Sequence, residues 1–512
     1  LAASSTDLTA RLHELARQFA SNLASSTRDF AWHVTSAAEL AGLPDDDLER
    51  AKRTAESAGV DGFLLTLDAH SFFPALASLE DRGLRKNLYE AFYTRASDRG
   101  PRAGNFDNTP LLTEMLELRF QLARQAGFSN FAALAVQDGV VSDPDGAEST
   151  LLALHRTTRA KAQAELDTLW AFAKEKGVPR GFSNWDLPFY LALWQRERLG
   201  FDARAMRDYF ELEASVRGAF DLAAKLLGVG ISPAPGLPQS YVLRAAGGAE
   251  LGVVELEPFG SAAFLGEELV VPITDAAATP SVRIECGFEQ PWFPEAAVRL
   301  DHLQLQTLFR CVGRALYLLV TASLDHPRGP SRQALLGSRV AGYLYERFAS
   351  DFATLAAFAR HRQTGQALSH ELFDSLVQSR AAHTALSAAS ELELELFDIR
   401  VHRDHIPAAK STQLRVQVLD TFTQVRREQS VLPPSYWTRF ANISTPLFVH
   451  DEASRLWERS WARNRATALF EHLKHGSGQA ALRETFWAAG EAGVMERVAC
   501  ALGEALPTRA AV

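Results

Sequence analysis

Two arginines one helical turn apart, Arg310 and Arg314, stand in a stretch that is otherwise mostly apolar, Leu303 to Leu319. At i and i+4 on a helix both guanidinium groups project from one face, with Cys311 beside them. Two such charges about 6 Å apart repel by roughly 2–3 kcal/mol at an effective dielectric of about 20, so anions must lie close by. Within the chain the first candidate is Glu285 and the second Glu346. If these acids neutralise the arginines, the cluster is a salt-bridge network that ties elements together. If they do not, the forked donors suit a carboxylate or phosphate on a ligand. Cys311 adds a third possibility, a nucleophile made more acidic by the flanking cations, although no histidine adjoins it in sequence.

The other constellations are weaker. His402 and His405 form His-x-x-His, but a metal needs a third ligand and none is placed nearby, so the pair reads as a helix end near solvent. Cys286, Cys311 and Cys500 are too few and too scattered for a disulfide framework or a metal knuckle, which makes a reducing cytoplasm the default. Gly247-Gly248 and Gly260-Ser261-Ala262 are turn signals; no Lys-Ser/Thr follows to make a phosphate loop. A net charge of −9 with dispersed Lys and Arg argues against nucleic acid and against an anionic membrane as the main partner. No apolar run approaches the ~20 residues that span a bilayer. Leu1 to Asp7 has neither the basic start nor the apolar core of a signal peptide.

With 512 residues, 47% of them hydrophobic, the chain can bury a large core in two or more lobes. Apolar spacing predicts helices from Leu8 to about Ala58, broken near Gly42-Leu43-Pro44, then over Leu111–Gly127, Asp145–Lys176 and Ala203–Leu227. The strands expected lie between about Tyr241 and Phe288, in Leu251–Leu256, Leu269–Ile273 and the alternating Val282–Phe288. The C-terminal third reads as helical with polar faces.

The flanks of the arginine pair, Thr307-Leu308-Phe309 before and Gly313-x-Ala315-Leu316 after, resemble the zinc-binding helix of the thimet oligopeptidase family, especially its bacterial oligopeptidase A branch. The likeness recurs in Gly62–Asp68, Leu88–Pro101, Trp185–Tyr190, Asp208–Leu212, Arg360–Leu368 and Glu393–His402, so it covers the whole chain. In that family the helix carries His-Glu-x-x-His, two imidazoles sharing a metal and a glutamate activating its water. Here the five positions read Arg-Cys-Val-Gly-Arg.

Carried over residue by residue, the first histidine falls at Arg310, the glutamate at Cys311 and the second histidine at Arg314. Counting back from Arg360-His361 places the third ligand at Arg339, with Ser338 or Val340 one residue to either side and Tyr343 one turn on. Where the family supplies a histidine to the developing oxyanion, this chain has Pro446, in Thr445-Pro446-Leu447-Phe448. The resemblance therefore implies a mainly α fold, α+β with one small sheet, in two lobes around a deep central groove. It divides as 1–185 with about 385–512 in a helical lobe and about 186–384 in a lobe carrying the sheet (241–288) and the arginine helix (303–319). The strand from Ile284 to Phe288 is expected at the sheet's edge along the groove. The family's extra N-terminal helical stretch is expected to be absent, and with it the first lobe is expected to be smaller and the groove more open or completed by a partner.

The expectation for function is a metal-free, cofactor-free relative that does not hydrolyse peptides. It would bind a peptide, an anionic small molecule or a protein partner in the groove, through Arg310, Arg314, Arg339, Tyr343 and Glu285. The alternative is a repurposed, metal-independent enzyme whose anionic substrate is held by the three arginines.

Overall fold

Helical periodicity governs most of the chain, and the computed structural model describes residues 4–503, except 138, 142, 179–180, 260–267, 274–278, 289–296, 322–329, 406–410, 433–451, 475–479, 481 and 489–492. Among these residues the protein is mostly helical, with two small sheets. It divides into two compact units, the first made of Leu1–Gln137, Val141–Phe201 and Gln378–Trp457, the second of Asp138–Val140, Asp202–Val377 and Glu458–Val512.

In the first unit the helix Ser5–Arg28 ends where β1 (Ala31–Val34) begins, and β1 pairs antiparallel with β2 (Phe63–Thr66), Trp32 opposite Leu65. The helical reading of Leu8 to about Ala58, with its break placed near Gly42-Leu43-Pro44, is corrected here. What decides a four-residue strand is its partner thirty residues on, which local spacing does not reveal. Phe30, Val34, Leu65, Leu67, Phe72 and Leu88 form the core over this sheet. The long helix Pro144–Glu175, capped by Asp143 accepting from the Gly146 N–H, packs on Thr384–Arg403.

His402 and His405 lie at the end of Thr384–Arg403 and are buried, not near solvent. His402 Nδ1 is 3.1 Å from Asp398 Oδ1 and its Nε2 is 3.1 Å from Arg119 Nη1. His405 Nε2 is 3.4 Å from Glu117 Oε2. Asp398 also accepts from the backbone N–H groups of Ser454 and Leu456, so the cluster is a packed internal network.

The second unit holds β3 (Gly230–Pro233), β4 (Ser240–Arg244), β5 (Glu250–Glu257), β6 (Leu269–Ile273) and β7 (Ser281–Glu285), in the order β3-β4-β5-β7-β6. Only β5 and β7 run parallel. The strand containing Ile284 is thus interior, flanked by β5 and β6, and β6 ends the sheet among the described residues. Spatial order follows from hydrogen-bond pairing between distant segments, and the β-branched run Leu269–Ile273 takes the outer place. Ile284 and Val282 are fully buried, and β5, β6 and β7 all lie against the helix His302–Val320.

Candidate functional site at the Arg310 helix

The helix His302–Val320 starts from a capping box: Asp301 accepts from the Gln304 N–H, and the Gln304 side chain accepts from the Asp301 N–H. Leu305, Leu308, Phe309, Val312, Ala315, Leu316 and Leu319 then bury its length. Its neighbour, Arg332–Phe348, is capped by Ser331 accepting from the Ala334 N–H.

Glycines set how closely these helices approach. A Cβ on Gly313 would sit 2.7 Å from the Ala341 carbonyl oxygen, and one on Gly342 would sit 2.6 Å from Arg314 Cγ and 2.8 Å from the Arg310 carbonyl oxygen. Gly337 leaves room in the same way for the Tyr317 ring. The arginine stems therefore lie on the bare backbone of the second helix, which fixes where their guanidinium groups emerge.

Arg310 donates through Nε to Glu268 Oε1 at 2.6 Å, through Nη1 to Glu346 Oε2 at 2.5 Å and through Nη2 to the Thr307 hydroxyl at 3.3 Å. Glu346, the second acid anticipated, is one of its partners. Glu268, immediately before β6, is the other and was missed. The signal for it was register: β6 and β7 are antiparallel with Leu269 opposite Glu285, so the residue ahead of β6 meets the chain leaving β7 beside the helix.

Burial alone would raise the Glu268 carboxyl; Arg310 and then Arg314 more than cancel this, and it is held at about 2. Burial would likewise lower Arg310, but Glu268 and Glu346 raise it well above its ordinary value. Arg314 thus belongs to the same electrostatic group as Arg310 and Glu268.

Tyr343 is buried, with Arg310 at 5.9 Å and Arg463 at 4.9 Å from its ring centroid. Arg463, on the helix Trp457–Lys474, is a second residue the sequence did not flag. Arg339 is half-buried one turn before Tyr343. Glu285 is the half-buried last residue of β7, between Glu257 and Leu269. Cys311 is fully buried, beside Cys286. Pro446 lies outside the described residues.

A mostly helical fold whose five-stranded sheet lies against the helix His302–Val320, itself packed on Arg332–Phe348, frames this site. Peptidase family M3 matches residues 75–244 and 261–511, and the chain belongs to that family. It is 27% identical to oligopeptidase A of Salmonella typhimurium over 476 residues, 89% of this chain and 68% of that protein. It is 27% identical to the Escherichia coli oligopeptidase A over 488 residues, 91% and 70% of the two chains. Against the dipeptidyl carboxypeptidase of Escherichia coli identity is 26%, over 88% of this chain and 67% of that protein. Among solved structures an oligoendopeptidase F superposes over 99% of this chain and 74% of its own, with a TM-score of 0.53 at 12% identity, a likeness of fold alone. Among the described residues no helix is long and apolar enough to cross a membrane.

Proposed function

We propose that this member of the family does not hydrolyse peptides and instead binds a peptide, an anionic small molecule or a protein partner. The observation that carries the reading is the state of Arg310. At the position that the resemblance gives to a metal-binding histidine stands a guanidinium that donates to Glu268, Glu346 and Thr307 and has no lone pair for a metal. Arg314 has the same chemistry, and Cys311 alone makes at best a one-ligand site. The zinc implied by the resemblance therefore does not fit these residues. The sequence contains no His-Glu-x-x-His, and among the described residues no three His, Cys, Asp or Glu side chains are grouped to hold a metal ion.

The two carboxylates support an internal tie: they link the start of β6 and the second helix to the first through one guanidinium. Arg310 is committed to this tie, and an external anionic group would be met at the same cluster, by Arg310 with Arg314, Arg339 and Tyr343. The free cysteines fit a reducing, cytoplasmic setting. Against the enzyme alternative, Cys311 is completely buried and Arg310 already carries two carboxylates.

The test is elemental analysis of protein purified without chelator, together with a panel of short quenched peptides assayed with and without added zinc. The expected result is substoichiometric divalent metal and peptides recovered intact. A stoichiometric divalent ion, or cleavage that a chelator abolishes, refutes the proposal.

A further inference from the structure

The reading above assigns no chemistry to Cys286 and Cys311. They are distant in sequence, yet the fold brings them to one place by contacts that do not involve sulfur. Leu269 pairs with Glu285, so Glu268 and Cys286 follow as neighbours at the ends of β6 and β7. Glu268 is bonded to Arg310, and Cys311 is the next residue on that helix. The Cys286 backbone is fixed from the other side, its N–H donating to the Glu257 carbonyl at 3.3 Å. Both cysteines are free and buried, 7% and 0% exposed, and the Cys311 side chain is the neighbour that acts most strongly on the Cys286 thiol.

We propose that Cys286 and Cys311 are a disulfide-forming pair that, on reaction with a peroxide, cross-links the end of β7 to the Arg310 helix. One sulfur attacks the peroxide, the O–O bond breaks, and a sulfenic acid forms with loss of one water. The second sulfur then attacks the sulfenic sulfur, the S–O bond breaks, the S–S bond forms and a second water leaves. The two thiols lose two electrons and two protons, and the peroxide takes them up. The neighbouring Cys311 side chain, with burial adding to it, pushes the Cys286 thiol well up, so Cys286 stays reduced under mild conditions and reacts faster as pH rises. The covalent link would pin the sheet to the helix that carries Arg310 and Arg314, making the stiffness of that site depend on oxidant.

The test is hydrogen peroxide treatment of the full chain carrying Cys500→Ser, which removes the exposed thiol, followed by alkylation in denaturant and tryptic mass mapping. The expected product is one peptide joining residues 286 and 311, lighter than the sum of its parts by two hydrogens. Its formation should accelerate from neutral to alkaline pH and raise the thermal midpoint, and dithiothreitol should reverse both. Cys286→Ala and Cys311→Ser should each abolish the link and the midpoint shift, whatever their own effect on the reduced protein. Recovery of both cysteines as separate alkylated or singly oxidised peptides at alkaline pH overturns the pairing.

Discussion

Replacing Glu268 by Gln keeps the size of the side chain and removes one of the two charges that hold Arg310. Its carboxyl lies at about 2 in the folded protein against an ordinary 4.5. At about 1.4 kcal/mol per unit, that difference sets a ceiling of roughly 3 kcal/mol on what ionisation of Glu268 adds to stability at neutral pH. Arg310 and Glu268 are each 19% exposed, and Glu346 remains to neutralise the guanidinium, so about 2 kcal/mol is the expected loss in the variant. The sign with pH is fixed. A carboxyl depressed on folding stabilises above its unfolded value, and that contribution disappears as pH falls from 4.5 towards 2. Urea unfolding of wild type and variant, followed by hydrogen exchange of peptides spanning His302–Val320, should show a gap of about 2 kcal/mol at pH 7 that shrinks steadily below pH 4.5. Removing Glu346 as well should cost more than the two single changes together, because Arg310 then faces Arg314 with neither acid nearby. A gap that is absent, or independent of pH, would refute the argument that these carboxylates hold the site together.

Gly342→Ala should destabilise the second unit by about 2–3 kcal/mol, since its Cβ would fall 2.8 Å from a backbone oxygen that cannot swing aside, and thermal unfolding measures it. A neutral outcome would mean that the helices cross less closely than described. In the first unit, burial and then Arg380 lower His383 from 6.5 to about 4, so its neutral form is favoured on folding and stability is lost as pH falls through that window. His383→Gln should lessen the acid sensitivity between pH 6.5 and 4 by about 2 kcal/mol in urea titrations at stepped pH. Equal acid sensitivity in both proteins would contradict it.

The arginine helix was legible because its evidence is local: an apolar period and two cations at one-turn spacing predict Leu303–Leu319, and the helix runs His302–Val320. Strands Leu251–Leu256 and Leu269–Ile273 were read for the same reason. What the sequence concealed is pairing. The interior position of β7, the existence of β1 and the burial of His402 are each decided by a partner far along the chain. Glu268 is the most instructive omission. Repulsion between Arg310 and Arg314 required an anion, and that inference stands, but charge alone could not say which acid supplies it.

The glycines and the arginines at the helix crossing depend on one another. Arg310 and Arg314 are long, and their aliphatic stems need apolar surface if the charged ends are to reach a common anion. Bare backbone at Gly342 supplies that surface, and the contact aims Arg310 at Glu268 and Glu346. A bulkier residue at 342 would displace the guanidinium and weaken its ion pairs even if the helices stayed folded. Gly342→Ala should therefore reduce the stability gap caused by Glu268→Gln when the two changes are combined, whereas Gly337→Ala, which presses on Tyr317, should leave that gap intact. Independent effects of Gly342→Ala and Glu268→Gln would separate the crossing from the charges and remove this coupling.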